Sequence, residues 1–225
     1  MILGHSYTYR VNAANLMGYG VFSTPQSYIP REAPGKPTSA PTLVPGSSSR
    51  TTIVISYLPI LENTGGSAII KYNVYVDDGH YSAFAGPYTS ATNGMSMLFS
   101  TDLLPVLPTT GLTYRFKYTS VNIAGESILS DELCVLLAEV PTVPLSLVRI
   151  DSDILPAGQI RVTWSTPSDN GGSPITGYRL YLETVLIYDG SSLSTEVVYT
   201  IVNLIVGRAY QISVSANNAK GESLT

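Results

Sequence analysis

Pro167-Ser168-Asp169-Asn170-Gly171-Gly172-Ser173-Pro174-Ile175-Thr176-Gly177-Tyr178 reads as a turn held between two strands. Before it, Ile160-Arg161-Val162-Thr163-Trp164 alternates apolar and polar residues; after it, Ile175 to Tyr181 extends again. Alternation with a period of two puts one side of each run on a core face. Pro167 halts the first run because it lacks an N–H for the ladder, and the Asp-Asn-Gly-Gly centre supplies the side-chain acceptors and positive φ that a turn needs. No crossover helix fits between the runs, so they pair antiparallel. The same stretch recurs upstream: Ile53-Val54-Ile55-Ser56-Tyr57, Pro59, Asn63-Thr64-Gly65-Gly66-Ser67 and Ile69 to Tyr75.

A second repeat runs through the whole chain. Gly4, Gly111 and Gly207 are each followed three residues later by a tyrosine (Tyr7, Tyr114, Tyr210), and each segment closes on a glycine fourteen residues after the first (Gly18, Gly125, Gly221). The starting glycines lie 107 and 96 residues apart, a period that means an array of domains and not a short-repeat solenoid. Asn15, Asn122 and Asn218 occupy the same place before the closing glycine. Alternation predicts that Tyr7, Tyr9 and Val11 face a core, as do Tyr114, Phe116 and Tyr118, and Tyr210, Ile212 and Val214.

These residues resemble the fibronectin type III family over essentially the entire chain. Pro167 to Tyr178 is similar to the family's B–C turn, and Trp164 stands where the family keeps its core tryptophan on strand B; Tyr57 replaces it in the middle copy. Leu204-Ile205-Val206-Gly207-Arg208-Ala209-Tyr210 resembles the E–F corner, whose tyrosine hydroxyl bonds back to the backbone. Ala216 to Ser223 resembles the F–G turn. The resemblance implies an all-β fold: tandem immunoglobulin-like, seven-stranded antiparallel β-sandwiches. Tyr7, Tyr114 and Tyr210 would be corner residues, and Tyr57 and Trp164 core plugs. The middle corner carries one extra residue (Leu107 to Tyr114).

Proline-rich stretches, Pro30 to Pro37 and Val140 to Pro144, mark the joints. The expected domains are 1–33, the F and G strands of one sandwich; 34–140, a complete sandwich; and 141–225, a sandwich lacking most of strand G. Met1 aligns with Leu204 and so reads as an internal core residue. The chain reads as a window on a longer, extended array, with strand exchange between subunits as the other account.

Composition excludes several chemistries. Charged residues are only 12%, against roughly 25% in an average soluble protein, and the net charge of −4 comes with no basic run, so no nucleic-acid partner is expected. No segment reaches the roughly 20 apolar residues of a membrane span, so no membrane insertion is expected. The two histidines, His5 and His80, read as exposed turn residues, and the lone Cys134 as a buried small hydrophobe ending a strand. No catalytic elbow, Walker loop or zinc motif occurs, so neither catalysis nor a cofactor or metal is implied; Asp77-Asp78 and Asp151-Ser152-Asp153 are the weak oxygen-ligand candidates for calcium, and read as solvated turns.

Sixteen tyrosines are the most suggestive feature. Tyr81, Phe84 and Tyr88 fall outside the strand pattern, where they can contact a protein partner, stack on sugar, or cap the sandwich. There is no Arg-Gly-Asp and no Asn-x-Ser/Thr sequon, although Pro37 to Thr42 and Pro45 to Thr52 have the composition of O-linked sites. The expected role is a structural or adhesive spacer of an extracellular, surface or fibre-forming protein. Its partners would be other chains or neighbouring domains, and glycans. A protein- or carbohydrate-binding module and an intracellular scaffold are the alternatives.

Overall fold

Strands fall where the alternation puts them. The structure, a computed structural model, describes residues 1–89, 98–150, 155–192 and 196–225. In chain order the strands are β1 (Tyr7–Tyr9), β2 (Ala14–Asn15), β3 (Gly18–Tyr19), β4 (Gln26–Tyr28), β5 (Thr42–Leu43), β6 (Val54–Ser56), β7 (Lys71–Val76), β8 (Ala85–Tyr88), β9 (Leu98–Ser100), β10 (Thr113–Asn122), β11 (Gly125–Glu126) and β12 (Leu133–Leu136). There follow β13 (Leu145–Arg149), β14 (Ile160–Ser165), β15 (Gly177–Leu182), β16 (Val185–Gly190), β17 (Val198–Ile201), β18 (Ile212–Asn218) and β19 (Gly221–Glu222). A single 3-10 turn, Thr101–Leu103, is the only helical element among the described residues.

Two compact units form. Unit 1 holds Met1–Ser48, Ile53–Leu107 and Tyr114–Val135; unit 2 holds Ser49–Thr52, Pro108–Thr113 and Leu136–Thr225.

In unit 1 one sheet runs β5-β6-β9 and the other β11-β10-β7-β8, with β12 also paired to β10. The two sheets enclose Ile53, Ile55, Tyr72, Val74, Phe99, Phe116 and Tyr118, each at most 2% exposed. Tyr57 takes the plug position, its ring centroid 4.8 Å from that of Tyr118 and 5.7 Å from that of Tyr72. Burial among these rings pushes the Tyr57 hydroxyl up to about 12.

The first hairpin of unit 1 departs from expectation. β1 pairs with β4 and β2 with β3, as F and G strands would. Yet Tyr9, Val11 and Met1 are exposed, because no second sheet covers this face among the described residues. Alternation sets which side a residue takes; burial needs an opposing layer.

Unit 2 repeats the sandwich, with sheets β13-β14-β17 and β16-β15-β18-β19. Its core gathers Val162, Trp164, Tyr178, Leu180, Ile201, Val214 and Ala216. The Trp164 and Tyr178 rings meet edge to face, centroids 5.6 Å apart at 64°. Tyr210 and Ile212 are half-buried at the strand's open end, while Val214 is deep in the core.

Cys134 also departs from its reading. It lies on β12 but is exposed, since Val135 and Leu137 take the inward positions and the period of two sends Cys134 outward. His5 and His80 are exposed, as expected. Asp151 and Asp153 lie outside the described residues.

Candidate interaction surface

The candidate partner residues Tyr81, Phe84 and Tyr88 separate into two groups. The chain leaves β7 through Asp77-Asp78-Gly79-His80, where the Asp77 carboxylate accepts from the Gly79 N–H (3.2 Å) and the Asp78 carboxylate from the His80 N–H (2.9 Å). This double turn, with Tyr81 at φ 59°, sends Tyr81 back across the outer face of the sheet. There the Arg115 guanidinium lies 5.1 Å from the Tyr81 ring centroid and 4.9 Å from that of Phe84, and Lys117 Nζ lies 4.9 Å from Phe84. Tyr88 turns the other way: it is half-buried, its ring 6.4 Å from core Phe99.

Arg115 is fixed from beneath. Its Nε donates to Asp77 Oδ2 (2.7 Å), its backbone N–H to Asp77 Oδ1 (2.9 Å) and its Nη2 to the Ser82 carbonyl (2.5 Å). The Asp77 side chain is wholly buried, and its hydrogen bond and charge raise the Arg115 pKa above its ordinary value. Glu132 lies 3.5 Å from Lys117 Nζ, so the patch carries matched charge of both signs. Asp77 is thereby committed to Arg115, not to a cation site.

Further along the same face a carboxylate recurs in both units. Glu126 accepts from Asn73 Nδ2 (2.8 Å), the Tyr75 hydroxyl (2.8 Å) and the Thr119 hydroxyl. Glu222 accepts from Arg179 Nη1 (2.7 Å), the Tyr181 hydroxyl (2.5 Å) and the Ser215 hydroxyl. Desolvation opposes the charged form of each, but the donated hydrogen bonds prevail and hold both pKa values below the usual range. Burial and the Glu126 acceptor push Tyr75 up to about 12. An open groove lined by Tyr75, Thr119, Glu126, Ser127, Ile128 and Leu129 runs beside it in unit 1. With three donors each, these carboxylates tie β11 to β7 and β10, and β19 to β15 and β18.

The segment leading into each sandwich is gripped in the same way twice. In unit 1 Asn122 Nδ2 donates to the Glu32 carbonyl (2.7 Å) and the Thr64 carbonyl (2.8 Å), and Glu32 N–H donates to Gly65 O (3.0 Å). In unit 2 Asn218 Nδ2 donates to the Glu139 carbonyl (2.7 Å) and the Asn170 carbonyl (2.8 Å), and Glu139 N–H donates to Gly171 O (2.8 Å). Gly65 and Gly171 have φ of +70° and +72°, and a Cβ on either would overlap the carbonyl oxygen of Glu32 or Glu139. The sequence displays the repeated asparagine but gives no sign of this duty.

At the corners the Tyr7 hydroxyl accepts from the Ile2 N–H (2.5 Å) and the Tyr210 hydroxyl from the Ile205 N–H (2.9 Å). Tyr114 is buried at 4% exposure behind its longer corner. Among the described residues no group of three or more His, Cys, Asp or Glu could hold a metal ion, and no helix is long and apolar enough to cross a membrane.

The family model of the fibronectin type III domain matches residues 144–225. The chain is 29% identical over 222 residues to fibronectin type-III domain-containing protein 3a of Gallus gallus, covering 96% of this chain and 17% of that protein. It is 24% identical over 233 residues to Exoglucanase B of Cellulomonas fimi (96% and 19%) and 25% identical over 245 residues to protein sidekick-1 of Homo sapiens (96% and 11%). The chain thus spans less than a fifth of each relative's length. Residues 144–225 thus form a fibronectin type III domain, and the sandwich of unit 1 repeats its strand order.

Proposed function

We propose that the chain is a non-catalytic structural and adhesive spacer of an extracellular, cell-surface or fibre-forming protein. The repeated grip on the lead-in segment is the observation that carries this reading: Asn122 and Asn218 each fasten the residues ahead of β5 or β13 to the sandwich that follows. Lead-in segments held by backbone carbonyls suit a chain that transmits position and load and performs no turnover. Its partners in this role are neighbouring domains, other protein chains and glycans. Electron microscopy of the native material tests it: filaments or rods with an axial repeat of one or two domains are expected. A globular particle with this segment folded into its interior would overturn the reading. Added hexose in an intact-mass measurement is the expected mark of an extracellular source, and its absence together with a cytosolic fraction would favour the intracellular scaffold.

A binding module is the second reading, favoured by Tyr81, which is 66% exposed while its ring lies over Arg115. An amphipathic ring held rigid by a cation is a ready anchor for a protein surface or a sugar face. A glycan array probed with the wild-type chain and with Tyr81→Ala separates the two readings: binding lost in the variant supports the module, and no binding by either removes its sugar-binding form.

A further inference from the structure

The E–F corners repeat in three places, and two of them are covered. In unit 1 a Cβ on Gly66 would overlap Gly4 N and lie 2.7 Å from the Leu3 carbonyl carbon, so the Gly65-Gly66 turn sits directly on the Leu3-Gly4 corner. In unit 2 a Cβ on Gly172 would overlap Thr110 Cγ2 and lie 3.2 Å from Gly111 N, so the Gly171-Gly172 turn sits on Thr110-Gly111 in the same way. Both placements need glycine, at φ +74° for Gly66 and +84° for Gly172.

The segment that follows β4, and likewise the one that follows β12, sets this spacing. Gly4 N–H donates to the Pro30 carbonyl (3.0 Å), and two residues on Glu32 N–H donates to Gly65 O. Gly111 N–H donates to the Leu137 carbonyl (2.7 Å), and two residues on Glu139 N–H donates to Gly171 O. One short extended segment therefore registers the corner behind it with the Gly-Gly turn ahead of it.

The third corner is Ile205-Val206-Gly207. It has the same shape, with Gly207 at φ +83° against +79° for Gly4 and +92° for Gly111, and the same tyrosine bond from Ile205. It is bare: Ile205 is 64% and Val206 75% exposed, and a Cβ on Gly207 would meet nothing within 4 Å. We infer that Ile205-Val206-Gly207 is a docking corner for the Gly-Gly B–C turn of one further fibronectin type III sandwich joined in tandem. A second copy of this chain offers no free turn, because its Gly65-Gly66 and Gly171-Gly172 are already seated on Leu3-Gly4 and Thr110-Gly111. The inference rests on the tandem-array reading above, but not on its spacer role, so a failed microscopy result leaves it standing.

The test extends the chain after Thr225 with a second copy of residues 130–225, since Thr225 stands in the repeat where Leu129 does. Amide hydrogen exchange is then followed by NMR at residues 205–208 in the 225-residue chain and in the extended chain, the latter segmentally isotope-labelled so that only its first 225 residues are observed. Exchange is expected to slow by about tenfold or more on extension, as for a loop brought under a packed neighbour. It should return toward the original rate when Gly172→Leu is made in the appended copy only, with a native tryptophan signal twice that of the 225-residue chain confirming that both copies fold. Equal exchange with and without the extension overturns the inference. So does protection that Gly172→Leu leaves untouched, which would assign it to the added strand. Protection in the 225-residue chain that rises with concentration overturns it in favour of self-association.

Discussion

Replacing Asn218 with alanine deletes three hydrogen bonds at once: donations to the Glu139 carbonyl (2.7 Å) and the Asn170 carbonyl (2.8 Å), and acceptance from the Lys220 N–H (2.7 Å). Asn218 is only 7% exposed, so water replaces these partners poorly. A neutral hydrogen bond contributes about 1 kcal/mol net, which makes the expected loss about 3 kcal/mol. For a domain of this size that corresponds to a fall in melting temperature of roughly 12–24 °C. The assay is urea denaturation followed by the fluorescence of Trp164, the chain's one tryptophan and a core residue of unit 2. Asn218→Asp refines it, since the acceptor survives while both donations are lost. A loss below about 1 kcal/mol in Asn218→Ala would refute the argument that these bonds fasten the lead-in segment.

Three further outcomes follow from the outer face and the core. Glu126 and Glu222 have folded pKa values below their unfolded ones, so their contribution is present above the ordinary glutamate range and is lost as pH falls through the folded values. Glu222→Gln should therefore flatten the acid limb of the Trp164 unfolding midpoint; an unchanged limb would count against the three-donor arrangement. Tyr57 and Tyr75 sit near 12, so their contribution is complete below the unfolded tyrosine value near 10 and is lost as pH rises from there through the folded values. Tyrosinate absorbance should show a fraction of the sixteen tyrosines ionising only with unfolding, and a single smooth titration near pH 10 would contradict the packing. Exposed Cys134 should react with a thiol reagent in the native chain at one equivalent, and reaction only after denaturation would return it to the interior.

Strand identity, sandwich topology and corner are legible because each rests on local pattern: alternation in Ile160 to Trp164, glycine at fixed offsets, tyrosine three residues on. Alternation cannot say whether a second layer exists, so it places Tyr9 and Val11 on a core face although both are exposed. Cys134 misleads for a related reason, since a short apolar run such as Leu133 to Leu137 hides its phase until Val135 and Leu137 are seen to point inward. The candidate surface is half legible. Tyr81 and Phe84 stand out by falling off the strand pattern, but the Arg115–Asp77 pair between them joins residues 38 apart, and nothing local announces it. Asn122 and Asn218 are visible as a repeat, yet their acceptors lie 90 and 79 residues away in sequence, where spacing carries no information.

At the two joints Asn122 and Asn218 grip main-chain oxygens and Gly65 and Gly171 accept a main-chain N–H; the exposed side chains of Glu32 and Glu139 take no part in those bonds. A fastening that reads only the path of the backbone is indifferent to the sequence that threads it. Among the described residues only Glu139, of these two glutamates, adds a side-chain bond, its carboxylate accepting the Arg50 N–H (3.0 Å), so charge and size there are less free than at Glu32. Whole sandwiches can also be copied, reordered or exchanged between proteins without a new interface having to evolve at each seam.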